Sequence, residues 1–311
     1  MADTSEKIQV EVDGHRLALS NLGKLLYPDA AFAKGEVIDY YTRIAPVLLP
    51  HLADRALTVK RYPNGVNGKS FFEKNASKST PSWVRTVNLP APGSTKNRES
   101  IDYIVVQELA TLVFLANLAA LELHVPQWVM PPRARKPRTD LIVFDLDPGP
   151  PATIVECGEV AVMLRALLEA DGLHPVAKTS GSKGMQLSAP VQVEDPEHTS
   201  RYAHTVARRL EAQRPELIVS RMAKSLRPGK ILVDWSQNNP AKTTVAPYSL
   251  RARAHPTVST PLTWAEVESG EMLSFTAGDV LDRVQEFGDL YAPVLDDKAR
   301  ARITEAMLDA E

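Results

Sequence analysis

Two carboxylates separated by one residue are the side chains whose type and spacing point most directly to chemistry. Asp145 and Asp147 lie at the end of the near-continuous apolar run 141–146, and Pro148 turns the chain away behind them. Alternate side chains of a strand project on one side, so both carboxylates face the same way, about 7 Å apart. They repel each other unless a cation lies between them, and Mg²⁺ and Mn²⁺ prefer oxygen ligands. The same pattern equally suits a strand end whose aspartates cap the next turn.

A third carboxylate, Asp234, ends a second apolar strand that spans 231–234. Three carboxylates at adjacent strand ends could hold two metal ions, as in in-line phosphoryl or nucleotidyl transfer. In that arrangement one metal lowers the pKa of the attacking hydroxyl, and both stabilise the charge that builds on phosphorus. Taken alone, Asp234 also suits a helix cap. The three positions together predict two Mn²⁺ or Mg²⁺ ions held by Asp145, Asp147 and Asp234.

Glycine-rich and basic segments near these carboxylates point to a polyanionic ligand. Segment 179–184 joins two predicted strands; its small residues let backbone N–H groups approach phosphate oxygens, and Lys183 adds a positive charge. A plain hairpin turn would explain the same glycines. From Arg221 to Arg253, Asp234 is the only acidic residue beside seven basic ones. That run fits a polyphosphate or nucleic-acid track, and it also fits a solvated basic face.

Two adjacent aromatic residues, Phe71 and Phe72, interrupt the otherwise polar segment 65–78. Adjacent rings in extended chain point to opposite sides, so the two could stack on unpaired bases, although one could instead anchor the loop in the core. His124 follows an apolar run and could contact a phosphate or a hydroxyl, although a hydrogen-bonded core histidine has the same surroundings. Gly68-Lys69-Ser70 resembles the end of a phosphate-binding P-loop, but that motif needs a glycine five positions before Gly68, where this chain has Pro63, so we reject it.

The elements that must position these residues mix strands and helices without strict alternation. This mixture predicts an α+β protein, or an α/β protein with a mixed sheet. Apolar spacing predicts a hairpin at 8–19 and helices at 35–49, 108–121, 154–170 and 199–213. Short apolar runs predict strands at 57–60, 101–105, 141–146, 175–180, 185–189, 217–220 and 231–234.

Composition and charge exclude several classes of protein. The 311 residues are 44% hydrophobic and 24% charged, which is typical of a folded globular protein. One cysteine excludes an internal disulfide, and no apolar run approaches the roughly 18–20 residues that span a bilayer. With no signal-peptide pattern, we expect a cytoplasmic, monomeric protein without a membrane partner. Residues 264–311 carry 12 acidic and 4 basic side chains, against 26 acidic and 32 basic before them, which suits a polyanionic partner.

Eight segments occur in an order that we can compare with a known family. They are Asn21–Pro28, Lys60–Gly65, Phe71–Lys74, Leu121–Trp128, Val143–Gly149, Thr179–Gly184, Val233–Asn239 and Lys242–Arg251. This set resembles the polymerase domain of bacterial ligase D, in the archaeo-eukaryotic primase superfamily, over about residues 20–290. The resemblance implies one primase-polymerase domain over 1–311, stand-alone or excised, with an RRM-like catalytic sheet flanked by helices and an acidic helical end at 264–311.

The resemblance also implies template-directed primer extension and gap filling at DNA breaks, in non-homologous end joining or gap repair. The substrate would be a ribo- or deoxyribonucleoside triphosphate, with two Mn²⁺ or Mg²⁺ ions. Expected partners are DNA with a gap, overhang or double-strand break, with Ku and a DNA ligase as candidates, near the nucleoid. By motif match, nucleotide contacts are expected from Lys60, His124, Ser180, Lys183, Gln186, Gln237 and Arg251. DNA contacts are expected from Lys24, Lys34, Arg61, Phe71, Phe72 and Arg227, with the first two on a 5′-phosphate and the two rings near the templating base.

One position departs from the superfamily pattern, which places a histidine in Lys-Gly-x-His after the glycine-rich turn. This chain has Gln186 there, after Lys183 and Gly184. Glutamine can donate a hydrogen bond to phosphate but cannot become cationic. We expect the change to alter nucleotide affinity or selectivity and to leave activity in place.

Two other functions fit parts of the pattern. A metal-dependent phosphatase could use Asp145 as its nucleophile, although Gly149 stands where the haloacid-dehalogenase pattern has threonine or valine. A non-catalytic DNA-end-binding protein would need only the basic run and the paired phenylalanines. Loss of extension with retained binding after replacement of Asp145 and Asp147 would separate these functions from a polymerase.

Overall fold

The computed structural model describes residues 7–91 and 98–308; predictions that fall on 1–6, 92–97 and 309–311 lie outside the described residues. The helices in these ranges are α1 (Lys34–Leu52), α2 (Leu109–Asn117), α3 (Ile154–Ala170), α4 (Glu197–Gln213), α5 (Trp264–Glu268), α6 (Ala277–Phe287) and α7 (Glu305–Leu308). Over the same described stretches, no helix has the length and apolar character to cross a membrane.

The strands are short except in the centre of the molecule. They are β1 (Lys7–Val12), β2 (His15–Ser20), β3 (Leu25–Tyr27), β4 (Phe32–Ala33), β5 (Thr58–Arg61), β6 (Phe71–Glu73), β7 (Thr86–Pro90), β8 (Ser100–Ile104), β9 (Ala120–Val125), β10 (Trp128–Val129), β11 (Arg138–Thr139), β12 (Leu141–Pro148), β13 (Val176–Thr179), β14 (Met185–Gln192), β15 (Ile218–Val219), β16 (Ile231–Asp234), β17 (Thr244–Val245), β18 (Pro261–Leu262) and β19 (Ala301–Arg302).

The central element is a seven-stranded mixed sheet in the order β15-β16-β12-β14-β13-β18, with β19 added in parallel to β14. Its core follows the chain order β12-α3-β13-β14-α4-β16. The strands β16, β12, β14 and β13 lie side by side and antiparallel, which is the split βαβ arrangement of RRM-like folds. The prediction of an α+β protein with a mixed, RRM-like catalytic sheet is confirmed.

The helices α3 and α4 cover one face of this sheet. Their inward residues, among them Leu164 and Tyr202, share one apolar cluster with Phe144 of β12. Helix α3 begins where Thr153 accepts a hydrogen bond from Val155 N and the Glu156 carboxylate accepts one from Thr153 N, a capping box. Because the helices take one face, the other face of β12 is left for polar side chains.

A four-stranded sheet in the order β17-β9-β5-β6 lies on the other side of the molecule. It shares a second apolar cluster with α1 and α2, which includes Leu48, Leu112 and Leu121. Buried tyrosines tie α1 to this sheet and its neighbours: Tyr41 Oη donates to Leu121 O, and Tyr40 Oη donates to Tyr248 O at 2.8 Å. The two sheets therefore have separate apolar supports.

Three predicted boundaries were wrong for physical reasons. Helix α1 runs through Pro50 to Leu52, because buried residues such as Leu48 and Leu52 hold its last turn against the core. Helix α2 ends at Asn117 rather than at 121, since Ala119 has a φ of 56° and the apolar chain beyond it pairs as β9. The polar segment 65–78 contains strand β6, which forms by pairing with β5.

A buried ion pair joins the chain after α1 to the start of β12. The Arg55 guanidinium donates two hydrogen bonds of 2.9 Å to the Asp140 carboxylate, and both side chains are about 95% buried, with 4% and 5% exposed. The same guanidinium donates to Pro126 O and Trp128 O. This single cation therefore links β12 to the loop that follows β9.

We expect Arg55→Met to lower the free energy of unfolding by about 3–5 kcal/mol, because it leaves the Asp140 carboxylate buried without its bidentate partner. Arg43→Met is the matched control, since Arg43 pairs with Asp39 at 3.7 Å with both side chains more than half exposed. An exposed pair of this kind contributes about 0–1 kcal/mol. Urea unfolding followed by circular dichroism measures both; equal losses in the two variants would contradict the assignment.

Candidate active site

Four polar residues form one cross-strand row on the open face of the central sheet. Asp145 lies directly opposite Asp234 on β16 and directly opposite Gln186 on β14, which in turn lies opposite Lys178 on β13. Directly opposite residues of antiparallel strands have Cα atoms about 4.5–5.5 Å apart and side chains on one face. We call this set the acidic row: Asp234, Asp145, Gln186 and Lys178.

Asp147 extends the acidic row along β12 by one side-chain repeat. Burial, together with the negative charges of Asp147 and Asp234, raises the pKa of Asp145 to about 7, although the hydrogen bond from Gln186 opposes the shift. Burial also raises the pKa of Asp147, although the nearby cations Lys183 and Arg227 oppose that shift. The three carboxylates therefore crowd negative charge on one face of the central sheet, and the divalent-cation site stays a prediction.

Asp234 also has the local role that its position at a strand end suggested. Its Oδ1 accepts from Ser236 N at 3.0 Å and from Ser236 Oγ, and its Oδ2 accepts from Gln237 Nε2 at 2.9 Å. The carboxylate thereby caps the short 3₁₀ helix Trp235–Asn238. Across 7–91 and 98–308, no three His, Cys, Asp or Glu side chains already converge as a metal cage. The side chains of Asp145, Asp147 and Asp234 lie on the same face of the central sheet. Their carboxylate oxygens would have to rotate toward one another to coordinate an ion together.

The glycine-rich turn between β13 and β14 packs tightly against its neighbours. Gly181 has a φ of +67°, and a Cβ there would come within 2.7 Å of Ser259 N and of the Arg251 side chain. Ser180 Oγ accepts from Gly184 N at 3.2 Å, and Lys183 Nζ donates to Pro148 O at 3.2 Å. These contacts bring a hydroxyl, a lysine and several backbone amides to the end of β12 where Asp147 lies.

A buried carboxylate, Glu122, connects two residues that the sequence predicted as nucleotide contacts. It accepts from His124 Nε2 at 3.0 Å and from Tyr62 Oη at 3.2 Å, and its Oε2 lies 3.6 Å from Arg251 Nε. Burial would raise the pKa of Glu122, but His124 and Arg251 lower it to about 2. Burial lowers the pKa of His124 despite this carboxylate, so the imidazole is neutral near pH 7.

Arg251 reaches the glycine-rich turn from its other side. Its Nη1 donates to Ser180 O at 2.9 Å. Its buried Nε has no hydrogen-bond partner among the residues that the structure describes. The nearest anionic group to Nε is Glu122 Oε2 at 3.6 Å, so Arg251 links this buried carboxylate to the glycine-rich turn.

The second sheet also has a cross-strand row. It consists of three residues that lie directly opposite one another: Phe72 on β6, Lys60 on β5 and Glu122 on β9. Lys60 Nζ lies 5.4 Å from the centre of the Phe72 ring, and that ring meets His124 edge-on at 5.6 Å. Phe71 and Phe72 are 45% and 56% exposed, so neither ring anchors the segment in the core.

The Arg61 guanidinium lies against the Phe71 ring and is hydrogen-bonded to other parts of the protein. Its guanidinium lies 5.3 Å from the Phe71 ring, and it donates to Glu73 Oε2 and to Leu118 O, each at 2.9 Å. Arg227 lies beside the end of β12: its carbonyl oxygen packs against Gly149, where a Cβ would come within 2.0 Å. Its Nη2 donates to Met222 O.

The two remaining predicted DNA contacts, Lys24 and Lys34, come together at the open end of the β3–β4 hairpin. Lys34 N donates to Lys24 O at 2.8 Å. Lys24 Nζ donates to Asn64 Oδ1, and Lys34 Nζ donates to Ser20 O at 2.6 Å. Burial, and then the charge of Lys24, lower the pKa of Lys34 to about 8. The two lysines are therefore neighbours, and their binding of a 5′-phosphate stays a prediction.

The two sheets meet at an open cleft of about 310 Å³. Its wall contains most of the residues predicted for metal and nucleotide: His124, Asp145, Asp147, Ser180, Lys183, Gln186, Gln237 and Arg251. Lys178 Nζ donates to Val245 O of β17 at 3.0 Å, which joins the sheets behind the cleft. The carboxylates, guanidinium, imidazole, ammonium and hydroxyl groups that line this one cleft suit a metal-bound polyphosphate.

Sequence reasoning missed two residues of this arrangement, Glu122 and Lys178. Glu122 precedes His124 by two positions on one strand, so its side chain projects on the same face; that spacing was the available signal. Lys178 is a lysine inside an apolar strand pattern, which predicts a buried or partnered charge. Gln186 was predicted to contact nucleotide, and both ends of its amide are bonded within the protein, to Lys178 and to Asp145.

Comparison with known proteins identifies the family of this chain. Residues 33–291 match the family model described as LigD, primase-polymerase domain. The chain is 44% identical over 280 residues to the multifunctional non-homologous end joining protein LigD of Mycolicibacterium smegmatis, which covers 90% of this chain and 36% of that protein. It is 33% identical over 276 residues to the bifunctional non-homologous end joining protein LigD of Bacillus subtilis, covering 88% of this chain and 43% of that protein.

A solved structure has the same fold. The polymerase domain from Mycobacterium tuberculosis ligase D, in complex with DNA, superposes with a TM-score of 0.85 at 40% identity and covers 91% of this chain and 99% of that one. The chain spans 36% and 43% of the two full-length relatives, so it corresponds to their polymerase portion. This chain therefore belongs to the LigD primase-polymerase domain family and is a polymerase of the nucleotidyltransferase class.

Proposed function

We propose that this protein extends primers and fills gaps at DNA breaks by template-directed nucleotidyl transfer, within non-homologous end joining or gap repair. The observation that carries the proposal is a cleft lined by Asp145 and Asp147 together with Arg251, His124 and Lys183, with Asp234 directly opposite Asp145 on β16. In the reaction, the primer 3′-oxygen forms a bond to the α-phosphorus, pyrophosphate leaves, and the hydroxyl proton is lost. Family membership favours this transfer over a phosphatase reaction.

Asp145, Asp147 and Asp234 would hold two Mn²⁺ or Mg²⁺ ions. The donor set fits, since it consists of carboxylate oxygens, the negative charge of Asp234 raises the pKa of both Asp145 and Asp147, and a divalent charge would offset that repulsion. When bound, such ions would lower the pKa of the attacking hydroxyl and stabilise the charge on the phosphorus. Gln186 holds one edge of Asp145 and Gln237 holds one edge of Asp234, so each carboxylate enters the site with a defined orientation.

The nucleoside triphosphate would lie across the cleft from the carboxylates. Arg251 and Lys183 supply positive charge to the phosphates, and Ser180 places a hydroxyl and tight-turn amides beside them. Neutral His124, held by Glu122, would meet a hydroxyl or phosphate oxygen. Lys60 lies between this carboxylate and Phe72, where a base and its phosphate would meet.

DNA would approach along the exposed aromatic and basic surfaces. Phe71 and Phe72 offer faces for an unpaired templating base, with Arg61 fixed behind the first ring. Lys24 and Lys34 form a compact cationic site for a 5′-phosphate on the downstream strand. Arg227 adds charge near the end of β12. Ku and a DNA ligase belong to this proposal as the factors that would present and seal the break.

Asp145→Asn is expected to lower primer extension on gapped DNA by roughly 10³-fold or more, because loss of one metal ligand removes several kcal/mol of transition-state stabilisation. DNA affinity should change less than about twofold, and thermal stability should stay or rise, since the buried carboxylate is disfavoured in its charged form. Asp39→Asn, an exposed change on α1, is the control. Extension that survives in Asp145→Asn would remove Asp145 from the essential metal ligands, whereas an unaltered protein that binds gapped DNA without extending it would favour the end-binding alternative.

Phe72→Ala is expected to raise the KM for gapped DNA at least fivefold, because stacking of a base on an aromatic ring contributes about 1–3 kcal/mol. Binding of Mn²⁺ should be unchanged, since this ring lies on the second sheet. Phe287→Ala removes a comparably exposed ring, 43% exposed at the end of α6, and serves as the control. If the two variants use blunt, gapped and overhanging DNA as the unaltered protein does, Phe72 does not position the template.

The preference for a 5′-phosphorylated downstream strand is expected to fall roughly tenfold as the pH rises from about 7 to about 9. Lys34 is cationic below its pKa of about 8 and loses that charge above it, and a bound phosphate favours the cation. Lys24 is the charged neighbour that lowers this pKa.

Fluorescence anisotropy with 5′-phosphate and 5′-hydroxyl gapped DNA measures the ratio of the two affinities. In Lys34→Arg the ratio should stay flat over the same pH range, because arginine remains protonated. The same slope in Lys34→Arg and in the unaltered protein would exclude Lys34 as the titrating group.

A further inference from the structure

We infer that Lys178 is a positioning residue for divalent-cation binding: it fixes the amide of Gln186 so that Gln186 holds the Asp145 carboxylate toward the cleft. The inference rests on the proposed function, in which Asp145 is a metal ligand. It concerns residues that lie in register across β13, β14 and β12.

Lys178 is only 2% exposed, and its ammonium group is fully used inside the protein. Nζ donates to Gln186 Oε1 at 2.5 Å, to Ser259 Oγ at 2.8 Å and to Val245 O at 3.0 Å. Ser259 Oγ gives its own proton to Thr179 O at 2.9 Å, so it is an acceptor toward Lys178. Three acceptors match the three N–H groups of an ammonium ion.

The direction of the chain of bonds follows from these donors. An ammonium group has no acceptor, so the Gln186 atom that faces Lys178 must be the carbonyl oxygen. The NH₂ group of Gln186 then faces the other way, and its Nε2 donates to Asp145 Oδ1 at 3.0 Å. Without Lys178, the amide could rotate by half a turn and present an oxygen to Asp145, which would repel the carboxylate. Lys178 therefore selects one of two orientations of a neutral side chain.

This chain of bonds also explains how glutamine can stand where the superfamily pattern has histidine. A neutral imidazole has one ring nitrogen that accepts and one that donates, and the two are spaced much as the oxygen and nitrogen of an amide. Beside a buried lysine, either side chain can accept from Nζ and donate to Asp145. Gln186 keeps both hydrogen bonds. Because an amide does not titrate, the chain of hydrogen bonds from Lys178 through Gln186 to Asp145 does not depend on the protonation state of residue 186.

Two effects of Lys178 on a bound cation oppose each other. Its positive charge would repel a divalent ion, whereas its hydrogen bond to Gln186 orients a carboxylate ligand. Lys178 lies two strands from Asp145, with Gln186 between them, so we infer that orientation outweighs repulsion. Groups that orient metal ligands in this indirect way typically change metal affinity by about 10–100-fold.

The test is Mn²⁺ binding to the full chain without nucleotide or DNA, followed by the electron paramagnetic resonance signal of free Mn²⁺. We expect Lys178→Met and Gln186→Leu each to raise the Kd for Mn²⁺ by about 10–100-fold. Because Lys178 acts through Gln186, the double variant should bind no more weakly than Gln186→Leu alone. Gln186→His should bind Mn²⁺ with a Kd within about threefold of that of the unaltered protein, since histidine, unlike leucine, also provides an acceptor and a donor.

Ser259→Ala is the matched control, because it removes a different bond of Lys178 and leaves the Gln186 bond in place. It should lower the thermal unfolding temperature and leave the Kd for Mn²⁺ unchanged. Unchanged or tighter Mn²⁺ binding in Lys178→Met, or additive losses in the double variant, would overturn the inference. If Lys178→Met fails to fold, Gln186→Leu with the same affinity as the unaltered protein would overturn it equally.

Asp145→Asn separates this inference from the function on which it rests. Unaltered protein that binds Mn²⁺ no better than Asp145→Asn would remove the proposed metal ligand itself. A large loss in Asp145→Asn together with no loss in Lys178→Met and Gln186→Leu would keep the proposed function and reject only the positioning role.

Discussion

The strand register that places Asp234 opposite Asp145 is the constraint on which the rest of the site depends. Like charges directly opposite each other destabilise an antiparallel pair, so this register has to be enforced by other parts of the sheet. The enforcement comes from the covered face: Phe144 and Leu146 alternate with Asp145 and lie in the apolar cluster beneath α3 and α4. A slip of one residue would turn those side chains into the cleft and bury the carboxylates, so the core fixes the site.

The second sheet carries a cross-strand row of its own and positions other groups of the cleft. Its row of Phe72, Lys60 and Glu122 runs in register across three strands, as the acidic row does across four. Glu122 is buried with His124 and Arg251 around it, so a carboxylate that never enters the cleft orients groups that do. Lys178 connects the two sheets through Val245 O. Positive charge therefore reaches the cleft from both sides of the carboxylates, from Lys183 in the glycine-rich turn and from Arg251.

Local pattern was enough to predict the elements that carry the carboxylates. The strand ending at Asp234 and the helix Ile154–Ala170 have the bounds that apolar spacing predicted. Periodicity could not show that β12 pairs with both β14 and β16, since strand neighbours depend on contacts far apart in sequence. It also misplaced the end of α2, where a left-handed residue, Ala119, starts a strand in a run that is apolar throughout.

The site shows the same limit at the level of single side chains. Asp145 and Asp147 were predictable because their spacing alone gives their common face, whereas the roles of Glu122 and Lys178 depend on partners more than 60 residues away, Arg251 and Val245. Gln186 seemed to weaken the site when compared with the superfamily motif, because glutamine cannot supply a charge. In the fold it lies between a buried ammonium and a buried carboxylate, where a neutral relay keeps the two charges apart and bonded. A second cation at that position would face Lys178 without water to screen it, so the neutral form of histidine is the one that the surroundings favour, and glutamine reproduces it.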